Sequence, residues 1–293
     1  MDNLTYISVP LWQGAEMCGV DKAPKTLLDA GAGDIIARYF NVSYKQLPEL
    51  TKKLSAQNKY AALAKYLKEV KKAVSECISQ GSLPFTVGGD HALGLGTVAA
   101  AAEKYDDLGV IWFDAHGDMN TESTSPTGHI HGMPNAALMG LCQSELNEVA
   151  TKRVKPEHIF WVGTRSLDEG EVELIKRLKL HVYTTEYIHG AGIEQVMTEI
   201  RDELQRLHIR NLHCSIDVDA IDPTIVPATG AAVANGLRTE DYILFANLLA
   251  HLPITLTSLD FVEYNPLLDD EQRHSERWCL EAINTLIRAI STK

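Results

Sequence analysis

Short apolar runs that end in glycine or acidic residues recur along the chain, separated by stretches of helical periodicity, and this alternation constrains the fold more than any other feature. Tyr6 to Val9, Leu83 to Val87, the run from Val110 to Phe113, His158 to Val162, His181 to Tyr183, Leu212 to Ile216 and Ile254 to Leu259 read as strands. A strand apolar at successive positions has both faces covered, as in a parallel sheet. The clearest helix carries Leu63, Tyr66, Leu67, Val70, Val74, Cys77 and Ile78 at three-or-four spacing, between polar Lys52 and Gln57 and a terminating Gly81. Its Lys65, Lys68, Lys71 and Lys72 form a solvated face. Other helices are predicted over 24–30, with Gly31 and Gly33 as stops, and over 93–104, 169–179, 193–206, 239–249 and 271–290. The prediction is an α/β fold with one mostly parallel sheet and helices on both faces, as a single domain over 1–293. Ligands in such sheets bind outside the carboxyl ends of the strands, so the chemistry should collect there.

It does. Asp114, His116 and Asp118 follow the Val110 run at alternate positions, so an extended or gently turning backbone would throw all three side chains to one side. Two carboxylates and an imidazole suit manganese and similar divalent ions, although solvated residues at a strand exit would read the same way in isolation. Asp217 and Asp219 repeat the pattern after Ile216, His91 follows Gly88-Gly89-Asp90, and Asp260 and Glu263 follow Leu259. Carboxylates gathered in a partly dry site repel one another by several kcal/mol unless cations hold them, which points to a two-metal site. His91 alone could equally be a core histidine. Gly88-Gly89 lacks the lysine and hydroxyl of a phosphate-binding loop.

The formal charge of −12 argues against nucleic acid and favours a cationic ligand. Five cysteines without a C-x-x-C spacing read as reduced thiols of a cytoplasmic protein. No basic segment followed by an apolar run opens the chain, and no apolar stretch reaches the roughly 20 residues of a membrane span, so neither export nor a membrane is expected.

Gly88-Gly89-Asp90-His91, Asp114 through Asn120, Ser215 through Asp219 and Glu263-Tyr264-Asn265-Pro266 resemble, in order, the signature blocks of the ureohydrolase superfamily of arginases and agmatinases, closest to its bacterial arginase branch. The resemblance implies a three-layer αβα fold around an eight-stranded sheet, often assembled as homotrimers or hexamers. It also implies two Mn2+ per subunit held by His91, Asp114, His116, Asp118, Asp217 and Asp219, with a hydroxide between them that attacks a guanidinium carbon. Glu263 would hold the guanidinium, Asp118 would take the nucleophile's proton, and His131 would carry a proton to the leaving amine. By the same resemblance Asn120 and Thr127 would meet the substrate α-carboxylate, and Asp168 and Glu171 its α-ammonium. His129 stands where arginases carry asparagine, Ser166 where many carry aspartate, and Ala231 where they carry threonine; a histidine could still donate to the carboxylate. The expected substrate is a small cationic amino acid, L-arginine, cleaved to L-ornithine and urea. The alternatives are formimidoylglutamate or another amidino acid in the same chemistry, or a metal-loaded binding protein without turnover.

Overall fold

The computed structural model describes residues 2–50, 54–55 and 57–292; Lys52, read above as part of the polar lead-in to the long helix, lies outside them. In chain order the elements are β1 (Asn3–Val9), α1 (Ala23–Asp29), α2 (Ala32–Ala37), β2 (Asn41–Gln46), α3 (Lys59–Ser79), β3 (Leu83–Gly88), α4 (Gly94–Lys104), β4 (Leu108–Phe113), α5 (Pro134–Leu138), β5 (Ile159–Thr164), α6 (Glu169–Leu178), β6 (His181–Thr184), α7 (Thr185–Ala191), α8 (Ile193–Arg206), β7 (Asn211–Asp217), α9 (Thr239–His251), β8 (Thr255–Val262) and α10 (His274–Ser291). The strands form one eight-stranded sheet in the order β2-β1-β3-β8-β7-β4-β5-β6. Every pairing is parallel.

The apolar runs of β3, β4 and β5 are buried at every position, as two-sided cover requires. Alternate side chains serve two separate cores. From β4, Ile111 and Phe113 join Leu27, Ile200, Phe245 and Ile283 of α1, α8, α9 and α10, while Val110 and Trp112 join Leu67, Val98 and Leu174 of α3, α4 and α6. Helices therefore cover both faces and the molecule has three layers.

Several local expectations are corrected or extended. Gly33 does not stop a helix; it lies inside α2, where a Cβ would sit 2.6 Å from the Tyr44 hydroxyl, so the glycine makes room for β2. Gly31, at φ 106°, does separate α1 from α2. The edge strand β2 gave no apolar run because it pairs with β1 alone and is mostly exposed. The short helices α2, α5 and α7 were also not anticipated, and α10 begins at His274 rather than Glu271.

The central strands β3, β8, β7 and β4 are neighbours in the sheet although far apart in the chain. Their carboxyl ends lead into His91, Glu263, Asp217 with Asp219, and Asp114 through Asp118 respectively. The topology alone thus brings four distant segments to one rim. Among the described residues no helix is long and apolar enough to cross a membrane.

Candidate metal centre and substrate pocket

Asp114 is shared by two groups of ligand atoms. Its Oδ2 lies 2.8 Å from His91 Nδ1 and its Oδ1 3.4 Å from His116 Nδ1. Asp118 Oδ2 and Asp217 Oδ2 each approach His91 Nδ1 to 3.2 Å, and Asp219 Oδ2 lies 3.1 Å from His116 Nδ1. His91, Asp114 and Asp118 form one set with ligand atoms mutually within 4.8 Å, and Asp114, His116 and Asp219 a second. The structure therefore gathers all six residues named from the sequence, with Asp217 beside the first set. His131 Nδ1 and Glu263 Oε1 stand 3.1 Å apart.

The backbone turns more sharply than the extended or gently turning path expected. The His116 N–H donates back to Asp114 Oδ1 over 2.6 Å, closing a tight turn, and Asp118 sits at φ 49° in the left-handed region. Asp118 thus reaches the cluster through a turn rather than through strand alternation. A non-glycine residue held there carries strain that the surrounding structure must sustain. Glu263 is held the same way at φ 65°, its Oε1 accepting the His91 N–H over 2.8 Å.

Other side chains brace this arrangement. Trp112 Nε1 donates to Asp114 Oδ2 over 3.0 Å, and the Trp112 ring stacks on His91 with centroids 3.9 Å apart. Asp90 accepts the Gly14, Ala15 and Ala92 N–H groups, while the Gly14 carbonyl accepts those of Ile130 and His131. The Arg165 guanidinium donates to the carbonyls of Asp219, Ala220 and Val233, tying the Asp219 turn to the loop that carries Ala231. None of these roles was read from the sequence. Only Trp112 carried a signal, because it lies two residues before Asp114 on a strand and so shares its face. Asp260 was read as a strand-exit residue and is not one: it lies inside β8, fully buried behind the cluster.

The electrostatics test whether cations belong here. Burial and the Asp114 charge push the Asp118 carboxyl up to about 6. Asp217 and Asp219 rise for the same reasons, Asp217 also through Asp219. Burial would raise Asp114 too, but the His116 and His91 imidazoles outweigh it and hold this carboxylate far below its ordinary range. His91 Nδ1, fully buried, faces three carboxylate oxygens and has no hydrogen-bond partner. Acidic groups that resist ionisation around an unpaired imidazole nitrogen suit divalent cations, and oxygen with imidazole donors fits manganese or a similar ion.

Beside the cluster opens a cavity of about 170 Å³ lined by Asp118, Asp168, Glu171, Asp217, Asp219 and Glu263, together with His116, Asn120, Ser125, Thr127, His129, His131, Ser166 and Ala231. Six carboxylates face it and, among the described residues, no lysine or arginine does. Each substrate-contact residue expected from the sequence lines this cavity. The Asn120 amide is committed, however: Nδ2 donates to Asp168 over 2.7 Å and Oδ1 accepts from Thr124, so Asn120 braces Asp168. Glu171 takes the Met119 N–H on one oxygen and the Asp168 N–H on the other, and burial raises its carboxyl to about 7. Ser125, given no role from the sequence, lines the same wall.

Comparison with known proteins finds relatives along almost the whole chain. The Arginase family profile matches residues 3–288. The arginase of Bacillus caldovelox is 35% identical over 284 residues, covering 93% of this chain and 94% of that one. Its crystal structure at pH 5.6 superposes with a TM-score of 0.91 at 34% identity, covering 98% of both chains. The arginase of Entamoeba histolytica in complex with L-ornithine matches with a TM-score of 0.91 at 31% identity, again over 98% of each chain.

Proposed function

Because the chain belongs to the arginase family, we propose that it hydrolyses L-arginine to L-ornithine and urea as a manganese enzyme with two Mn2+ per subunit, held by His91, Asp114, His116, Asp118, Asp217 and Asp219. The observation that carries this reading is the pairing of a double ligand cluster with a cavity faced by six carboxylates and, among the described residues, by no lysine or arginine. A guanidinium is the complementary ligand. Ions bound in the cluster supply Lewis acidity, which makes water a nucleophile at neutral pH.

The chain's own groups then divide the work. Glu263 offers the guanidinium a planar carboxylate at the cavity wall. Asp118 accepts the proton released as water adds to the guanidinium carbon. His131 is buried, which would lower its pKa, but the Glu263 carboxylate outweighs this and raises it to about 9. His131 is therefore an imidazolium at neutral pH, and it gives its proton to the departing amine as the carbon–nitrogen bond breaks. Ornithine and urea result.

Asp168 and Glu171 face the α-ammonium, with Thr127, Ser125 and His129 left as neutral donors to the α-carboxylate. Formimidoylglutamate is not favoured, because it carries two carboxylates and, among the described residues, no lysine or arginine faces the cavity to meet them. We read residues 1–293 as one cytoplasmic ureohydrolase domain that assembles into homo-oligomers. Measuring turnover of L-arginine, agmatine and formimidoylglutamate by the manganese-loaded protein tests the assignment. Urea should come fastest from L-arginine, and formamide release exceeding urea release would overturn it.

A further inference from the structure

Behind His91, on the side away from Asp114, Asp118 and Asp217, a fully buried chain of polar groups spans the neighbouring strands β7 and β8 and reaches α4. His91 Nε2 lies 2.8 Å from Ser215 Oγ, and Ser215 Oγ donates to Asp260 Oδ2 over 3.2 Å. The same oxygen accepts Thr97 Oγ1 over 2.6 Å and stands 3.1 Å from His213 Nε2, while Ser258 Oγ lies 2.7 Å from His213 Nδ1. Strand register builds this arrangement: Trp112 of β4 is opposite Ser215 of β7, Ser215 is opposite Asp260 of β8, and His213 is opposite Ser258. His91, Thr97, His213, Ser215, Ser258 and Asp260 are all buried. Burying so many polar groups inside a parallel sheet is costly unless each is satisfied, so a core built for stability alone would be apolar here.

We propose that Ser215 and Asp260 are positioning residues that fix the tautomer and direction of the His91 ring, and thereby set the affinity of the metal position formed by His91, Asp114 and Asp118. This rests on the metal reading above. The direction of each hydrogen bond sets the tautomer. Asp260 has only acceptors to offer as a carboxylate, so the Ser215 hydroxyl must donate to it. With its proton spent there, Ser215 Oγ can only accept from His91, which places the imidazole proton on Nε2. Once a cation displaces any proton on Nδ1, that nitrogen keeps its lone pair toward Asp114, Asp118 and Asp217, the form a metal ligand needs. Trp112 stacked on the ring fixes its plane but cannot choose between the nitrogens.

Asp260→Asn tests this with almost no change of volume. An amide at 260 can donate to Ser215 Oγ, turning the hydroxyl proton toward His91 Nε2 and favouring the tautomer whose Nδ1 carries hydrogen. Calorimetric titration of chelator-stripped protein with Mn2+ should show affinity lost by about 10- to 100-fold in Asp260→Asn and in Ser215→Ala. Ser215→Thr, which keeps the hydroxyl, should recover most of it. Thr97→Val removes a donor to the same Asp260 oxygen but lies off the path to His91, so it should bind manganese as the unaltered protein does. In zinc-loaded protein, 15N NMR of the histidine rings should show His91 protonated on Nε2 and metal-bound through Nδ1. If the unaltered protein binds Mn2+ and Asp260→Asn and Ser215→Ala bind it equally well, the positioning role is wrong. If Thr97→Val weakens binding as much as they do, the effect is a general loss of core order and the role is again wrong. If the unaltered protein takes up no divalent ion, the metal reading itself fails and this inference with it.

Discussion

Glu263 Oε1 and His131 Nδ1 lie 3.1 Å apart although the two residues are separated by 132 positions in sequence. Burial of the ring favours its neutral form, yet the adjacent carboxylate outweighs burial and raises His131 to about 9. Replacing Glu263 by glutamine removes the anion and leaves the burial. In metal-free protein the His131 pKa, followed by NMR titration, should fall from about 9 to the ordinary histidine range or lower. A value still near 9 in the variant would mean that Glu263 does not hold the proton on His131.

Removing metal should make stability fall as pH rises. Burial and the Asp114 charge raise Asp118 to about 6, and Asp217 and Asp219 are raised as well. For His91, burial is outweighed by Asp114, Asp118 and Asp217, which raise it well above its ordinary value. Each of these groups keeps its proton in the folded chain to a higher pH than in the unfolded one, where aspartate titrates near roughly 4 and histidine near about 6.5. The folded state therefore binds more protons, and unfolding free energy declines as pH rises through this window. Thermal melts of chelated protein between pH 5 and 8 should show a falling Tm that added Mn2+ reverses. A Tm indifferent to chelator across that range would contradict the ligand assignment.

Asp114 is common to both ligand sets, whereas Asp219 belongs to one. Asp114→Asn should therefore lose both ions on dialysis, and Asp219→Asn should keep one more tightly than the other. Elemental analysis of the dialysed variants distinguishes these outcomes, and equal retention in the two would show that Asp114 is not shared.

Gly89 marks the point where β3 turns into the His91 loop, and a Cβ there would lie 1.9 Å from the Leu11 carbonyl oxygen. Because the obstacle is backbone, relief requires the Leu11 segment or the loop to move. Gly89→Ala should cost about 1–3 kcal/mol or more in a denaturant melt, in line with overpacking of a buried site. It should also weaken metal binding, since the Glu263 N–H donates to the Gly89 carbonyl over 3.0 Å. A variant of unaltered stability would show that this close approach is not required.

Much of this was legible from the chain alone. Two-sided apolar runs such as Val110–Phe113 pointed to the parallel sheet, and the strand exits together with the family resemblance pointed to the six candidate ligands, because strand periodicity and the rule for open α/β sheets act locally. Edge strand β2 escaped because pairing on one side only asks little of its residues. The convergence at Asp118 escaped in its details because it depends on a left-handed turn stabilised by partners remote in sequence. Asp260 was misplaced because β8 runs on to Val262, three residues past the expected end at Leu259, and its true surroundings, Ser215 and His213, follow from cross-strand register that no single segment encodes. The commitment of Asn120 to Asp168 is likewise a tertiary fact.

Two cations held at the rim of β3, β8, β7 and β4 and driving guanidinium hydrolysis are the central claim. Chelator-stripped protein titrated with Mn2+ while urea release from L-arginine is recorded addresses it directly. Urea release should be absent in the stripped protein and should rise to a plateau at two equivalents of metal per chain. Undiminished urea release after stripping, or no release at full metal occupancy, would contradict it.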